Sequence, residues 1–138
     1  MSLQSQPNLQ PEQSLGCVLV VEDEVVVRAI LANELRSANF VVIEASCADD
    51  AIAFLRSNAR VDLVFSDVHM PGRLDGQQLA KLINRDYPDT PVILTSGNID
   101  IAVQVKTVQF LKKPYRIAQV VKLIFSTLDL TPPPESCL

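Results

Sequence analysis

The sequence contains no run of lysine or arginine, and its formal net charge is −4. Nucleic-acid recognition needs a clustered basic face, so nucleic-acid binding by this chain is not expected. No apolar stretch approaches the roughly 20 residues that span a bilayer, so no membrane association is expected. The N-terminus lacks a basic-then-apolar signal pattern, which makes a cytoplasmic location the default expectation. Cysteine is scarce. Cys17, Cys47 and Cys137 are odd in number and carry no C-x-x-C spacing, which argues against a disulfide framework or a thiolate metal site. They read as reduced structural thiols, with Cys17 in a buried strand, Cys47 near a helix start and Cys137 in a tail. Histidine occurs once, at His69, and no internal repeat or second composition zone is present. What remains is 48% hydrophobic and 20% charged over 138 residues. That suits one folded domain able to bury roughly two-thirds of its unfolded surface.

The polar, Gln-rich stretch 1–15, broken by Pro7 and Pro11, reads as a flexible lead, and 16–130 as the domain. Cys17 to Val21 is a continuous apolar run, the mark of a strand buried on both faces. It ends in Glu22-Asp23-Glu24, and from Val27 the residues Ile30, Leu31, Leu35 and Ala38 recur at helical spacing. Phe40 to Ala45 is a second strand, followed by a helix that Ser46 and Asp49 are expected to cap. Arg60 to Ser66 is a third strand, and Asp75-Gly76 opens a helix with Leu79, Leu82 and Ile83 inward. Pro91 to Leu94 is a fourth strand and Thr107 to Lys112 a fifth. Between them, 98–106 alternates like a strand but is assigned to a short or irregular helix, because parallel strands need a crossover. The last helix carries Ile117, Val120, Val121, Ile124, Phe125 and Leu128 on one face, and the Pro-rich stretch 131–138 is a tail.

Five alternations of strand and helix predict a three-layer, doubly wound α/β domain with a five-stranded parallel sheet. Ligands of such sheets bind beyond the carboxyl ends of the strands, at the switch point of the winding. The residues at those ends are Glu22 and Asp23, then Asp67, Thr95 and Lys113. Strand order 2-1-3-4-5 would make the four contributing strands neighbours. Taken alone, Asp67 can also be a plain turn starter ahead of Pro71-Gly72. Converging carboxylates repel unless a cation intervenes, and oxygen-only ligation suits Mg²⁺ or Mn²⁺ and not zinc. A divalent ion, a lysine and a hydroxyl around one free carboxylate make a phosphoryl-transfer site.

At this point the chain resembles the receiver domain of two-component response regulators, the single-domain type, over about residues 16–130. The carriers are Val20-Val21-Glu22-Asp23-Glu24, Asp67-Val68-His69-Met70-Pro71-Gly72, Asp75-Gly76, Leu94-Thr95-Ser96-Gly97 and Phe110-Leu111-Lys112-Lys113-Pro114-Tyr115. Each is weak alone; five in order, each placed against a predicted strand, are specific. The resemblance implies a flavodoxin-like receiver fold with Asp67 as the phosphoacceptor. It implies Mg²⁺ (or Mn²⁺) held by Glu22, Asp23, Asp67 and the backbone carbonyl of His69. Thr95 would bind the phosphoryl group, Lys113 would pair with it, and the Lys113–Pro114 peptide would be cis. Lys112 competes for the lysine role, but the Lys-Pro register favours Lys113. Thr95 and Phe110 would form the switch, against the alternative that Phe110 is a core residue of the fifth strand.

His69 sits where the family varies, so an exposed loop side chain is favoured over a phosphohistidine. Gly97, the other variable position, leaves water access open and implies a short-lived phosphate. Two departures are visible. The loop Pro71-Gly72-Arg73-Leu74-Asp75-Gly76 is one residue longer than the commoner family version, and 98–106 is short for a fourth helix. The second puts the family's usual output face in question and leaves the alternation as a candidate partner surface.

The expected function is acceptance of a phosphoryl group from a sensor histidine kinase or histidine phosphotransfer protein. The signal would pass to an unidentified downstream protein within a phosphorelay, and a homodimer is compatible with this. Eight Pro-rich residues after 130 cannot form an output domain, which favours a stand-alone receiver or an excised piece of a larger protein. No independent substrate turnover is expected. The competing enzyme is a phosphatase of the haloacid-dehalogenase type, but that family wants Asp-x-Asp, and this chain offers Glu22-Asp23-Glu24 and Asp67-Val68-His69. A flavodoxin-like cofactor binder would need a phosphate loop where Glu22-Asp23-Glu24 would repel a phosphate. A degenerate receiver acting only as an interaction module is disfavoured by the complete set of site residues.

Overall fold

Short runs of branched apolar residues, each followed by a stretch with a single apolar face, build alternating strands and helices. The computed structural model describes residues 13–97 and 108–131. Expectations for the lead up to residue 12, for 98–106 and for the tail from 132, Cys137 included, fall outside the described residues. The strands are β1 (Cys17–Val21), β2 (Val41–Ala45), β3 (Leu63–Asp67), β4 (Val92–Ser96) and β5 (Val108–Lys112). The helices are α1 (Val25–Ser37), α2 (Ala48–Arg56), α3 (Gly76–Asp86) and α4 (Ile117–Thr127). All strand pairings are parallel and the order is β2-β1-β3-β4-β5. This is a doubly wound, flavodoxin-like fold.

Two apolar cores flank the sheet. On one side, Val18 and Val20 of β1 and Phe65 of β3 meet Leu31 and Leu35 of α1 and Val121, Ile124 and Phe125 of α4. The rings of Phe40 and Phe125 meet edge to face there, at 5.3 Å. On the other side, Leu19, Val21 and Val64 meet Ala51 and Leu55 of α2 and Leu79 and Ile83 of α3. Neighbouring residues of one strand thus enter opposite cores, so β1, β3 and β4 are buried along their whole length and read as unbroken apolar runs. β5 closes one edge and is largely exposed. Among the described residues no helix is long and apolar enough to cross a membrane.

Several local details differ from the sequence expectation. α2 is capped one residue later, at Cys47, without a side-chain hydrogen bond. Ser46 lies outside the helix, and its hydroxyl donates to Asp50 Oδ2 at 3.4 Å instead of pairing with Asp49. β3 starts at Leu63, not Arg60. Asp62 uses its carboxylate to accept the Cys17 amide at 2.7 Å and to hold the exposed Arg60 at 3.1 Å, which pins the chain before the strand begins. α3 does begin at the Asp75-Gly76 step. The Asp75 carboxylate accepts from the Gln78 amide at 2.9 Å, and the Gln78 side chain accepts from the Asp75 amide at 2.8 Å, a reciprocal cap that satisfies two orphan donors.

Candidate functional site

Parallel register aligns the strand ends at one edge of the sheet. Val21 is level with Ser66, and Asp67 with Thr95. β1 therefore delivers Glu22 and Asp23 beside Asp67, and Lys113 follows β5 directly. Glu22, Asp23 and Asp67 each offer a carboxylate oxygen, all within 4.8 Å of one another. Glu22 and Asp67 are buried while Asp23 is exposed, so the cluster has one wall open to solvent.

Lys113 Nζ donates to Asp67 Oδ2 at 2.9 Å. Lys112 is exposed and Lys113 half-buried; their difference in register decides which ammonium reaches the carboxylate. The Lys113 amide donates to the Ser96 carbonyl at 2.9 Å, tying the end of β4 to the following turn, and the Lys113–Pro114 peptide is cis. The second Asp67 oxygen, Oδ1, accepts the His69 amide at 3.4 Å. The His69 side chain is exposed on the loop.

The Asp67 main chain is fixed from several sides. Its carbonyl accepts the buried Ser66 hydroxyl at 2.9 Å. The Val68 amide donates to the Thr95 carbonyl at 2.9 Å, and the Val68 carbonyl accepts the Gly76 amide at 2.8 Å. Gly76 lies so close that a Cβ there would collide with the Asp67 carbonyl oxygen and stand 2.8 Å from Val68 Cα. Neither Ser66 nor this contact is visible as a site feature in the sequence.

Thr95 Oγ1 is buried without a hydrogen-bond partner. A buried hydroxyl left unpaired costs roughly 1–3 kcal/mol, and this one sits level with Asp67 on the adjacent strand. Gly97, two residues on, is exposed and faces open space where a side chain would begin. Phe110 is 37% exposed, so in this structure it is not the core residue of β5 that a buried-strand reading supposes. Tyr115 packs its ring edge to face on Phe65 at 6.1 Å. A groove of about 550 Å³ runs from Glu22, Glu24 and Lys113 to Val27, Ile30, Pro114, Tyr115 and Ile117.

The electrostatics follow from burial and the three carboxylates. Burial pushes Glu22 up to about 7, helped by its contact with Asp23 and the Asp67 charge and opposed by the Glu24 amide and Lys113. Burial alone would pull Lys113 down, but its hydrogen bond and charge pairing with Asp67 outweigh this and hold it above the ordinary lysine value. Burial, then the Glu22 charge, raises the Tyr115 phenol. One ammonium does not balance three carboxylates. The donor set is all oxygen and partly buried, and its outer side is open, which fits a hard divalent ion that keeps some of its water. The residues present therefore fit Mg²⁺ or Mn²⁺.

The fold and this strand-end constellation define a class of signalling domain. The model of the response regulator receiver domain family matches residues 18–125, and the chain belongs to that family. It is 30% identical over 118 residues to the nitrogen assimilation regulatory protein NtrX of Azorhizobium caulinodans, covering 81% of this chain and 26% of that protein. The receiver domain of the hybrid histidine kinase CckA superposes with a TM-score of 0.72 at 35% identity, covering 82% of this chain and 99% of that one. A response regulator receiver protein from Sinorhizobium medicae superposes with a TM-score of 0.78 at 26% identity, covering 87% and 98%. The chain spans about a quarter of the length of the first curated relatives (26%, 23% and 24%). These relatives are regulators, and receiver domains as a class take their phosphoryl group from histidine kinases or phosphotransfer proteins.

Proposed function

We propose that Asp67 of this receiver domain accepts a phosphoryl group from a phosphohistidine donor, and that the modified domain passes the signal on by protein contact in a phosphorelay. The observation that carries this reading is the buried, unpartnered Thr95 hydroxyl level with a carboxylate that already holds Lys113. A core threonine has no reason to leave its oxygen unsatisfied, whereas a phosphoryl oxygen arriving at Asp67 would accept its hydrogen bond.

In this mechanism an Asp67 oxygen attacks the phosphorus in line. The P–O bond forms as the donor's P–N bond breaks, and the imidazole leaves with the electron pair and takes up a proton. Lys113 then moves its pairing from the bare carboxylate to the phosphoryl oxygens, and Thr95 donates the hydrogen bond it lacks in this structure. Glu22 and Asp23, with Asp67 and the His69 carbonyl, would hold a Mg²⁺ that neutralises charge on the phosphoryl group. Hydrolysis reverses the modification: water attacks phosphorus, the Asp67 carboxylate leaves and inorganic phosphate is released. Open space at Gly97 supports ready entry of that water. Phe110 sits half in solvent on β5. An inward turn of its ring as Thr95 engages the phosphoryl group would carry the change to the edge of the sheet.

The test is exposure to beryllofluoride with Mg²⁺, comparing wild type with Asp67→Asn. The reading expects saturable binding to wild type alone. Equal behaviour of both proteins overturns Asp67 as the acceptor.

A further inference from the structure

Glu22 is the most buried of the carboxylates at the site, at 3% exposure, and it is held at three points. Its amide donates to the Ala45 carbonyl of β2 at 3.0 Å. Its carboxylate accepts the Glu24 amide at 3.0 Å. Its carbonyl accepts a hydrogen bond from Arg28 Nη1 at 2.7 Å. The first two are local consequences of strand pairing and of the turn into α1. The third comes from a charged side chain one helical turn further on.

Arg28 is itself oriented. Its Nε donates to Glu44 Oε1 of β2 at 3.3 Å, while the other oxygen of Glu44 accepts from Arg36 Nη1 at 3.2 Å. Arg36 in turn donates to the Val42 carbonyl at 3.0 Å. The Arg28 and Arg36 side chains are only 17% and 9% exposed, so these bonds lie largely outside the screening that makes surface ion pairs weak. Two arginines on α1 thus grip one carboxylate on the edge strand, and one of them reaches over to the peptide that carries Glu22.

From this arrangement we infer that Arg28 is a positioning residue for the divalent-ion site, acting through the Glu22 carbonyl. The inference rests on the proposed function, since it supposes that Glu22, Asp23 and Asp67 take up an ion. Without an ion the three carboxylates repel, and that repulsion acts outward on the chain carrying Glu22 and Asp23. Arg28 anchors that chain, so the ligands stay gathered before the ion arrives. Glu44 has a separate task. Shared between Arg28 and Arg36, it offsets one of their two positive charges, which lessens the repulsion the anchor would exert on a cation at the site. Residues that orient ligands from behind typically change metal affinity about 10–100-fold when removed.

The test is the Mn²⁺ affinity of the whole chain, read from the electron paramagnetic resonance signal of free Mn²⁺, with thermal midpoints recorded in parallel. Arg28→Met is expected to bind Mn²⁺ about tenfold more weakly than wild type. Arg28→Lys, which keeps the cation but offers a single donor nitrogen in place of Nε and Nη1, is expected to recover part of that loss. Glu34→Gln, on the same helix and outside the network, is expected to bind as wild type does. Wild-type affinity in Arg28→Met overturns the inference and leaves the proposed function standing. So does a loss in Arg28→Met no larger than that in Glu34→Gln. Should Arg28→Met prove too unstable to measure, Arg28→Lys carries the decision: affinity equal to wild type with a lowered thermal midpoint means the arginine is structural only. Failure of wild type to bind Mn²⁺ overturns both the inference and the metal part of the proposed function.

Discussion

At the scale of single residues, Glu22 is the most informative group at the site. Burial holds it at about 7 in the folded chain free of metal, against an ordinary value of 4.5. Between those values the folded protein keeps a proton that the unfolded chain has lost. Glu22 therefore favours the fold fully below about pH 4.5, and this contribution is lost as pH rises through about 7. The expected loss is on the order of 1–3 kcal/mol, readable as a falling denaturation midpoint in chelator-treated protein. The ion needs the ionised carboxylate, so proton and metal compete. Added Mg²⁺ is therefore expected to raise the melting temperature more at about pH 8 than at about pH 5.5. An equal rise at both would mean that Glu22 is not a ligand. Neither its burial nor its pKa is legible in the sequence, where Glu22 and Asp23 are simply adjacent acids. The step from strand to turn separates them, sending one inward and the other to solvent.

At the scale of elements, the presence of the central strands is legible because both faces of the sheet are covered. Their order follows from the doubly wound pattern, and the bounds of β3 and β4 shift by one to three residues. Continuous apolar runs mark β1, β3 and β4, and the first polar residue after each run marks the edge where the site lies. Caps and long-range ties were less legible. Ser46 and Asp49 have the spacing of a cap, but the helix starts one residue later. The bond from Arg28 to Glu22 and Glu44 depends on β2 lying beside β1, which no local pattern displays. Gly76 is a similar case. In the sequence it is half of an Asp-Gly helix start; in the structure it is the point where α3 touches the main chain of Asp67. Gly76→Ala is expected to cost about 1–3 kcal/mol, as overfilling of packed sites does. It is also expected to slow labelling of Asp67 by acetyl phosphate, because the added methyl group displaces the peptide that aims the carboxylate. A wild-type labelling rate and an unchanged melting curve would show that α3 moves aside freely.

At the scale of the whole molecule, the sheet is a rigid frame whose two cores fix four strand ends relative to one another. The reactive groups are added at its edge. Asp67 and Thr95 belong to strands buried along their length, while β5, which leads to Lys113 and carries Phe110, is the exposed edge strand. The proposed acceptor and Thr95 are thus held by the interior, and Phe110, proposed to respond to them, lies toward the surface, the arrangement needed for a local charge change to reach a partner. The central claim is that Asp67 becomes an acyl phosphate. Borohydride reduces an aspartyl phosphate to homoserine and leaves the free carboxylate untouched, so the site can be read directly by peptide mass spectrometry. After incubation with acetyl phosphate and Mg²⁺, homoserine is predicted at position 67 and nowhere else. Homoserine at another aspartate, or none with the protein folded and Mg²⁺ bound, would contradict the account.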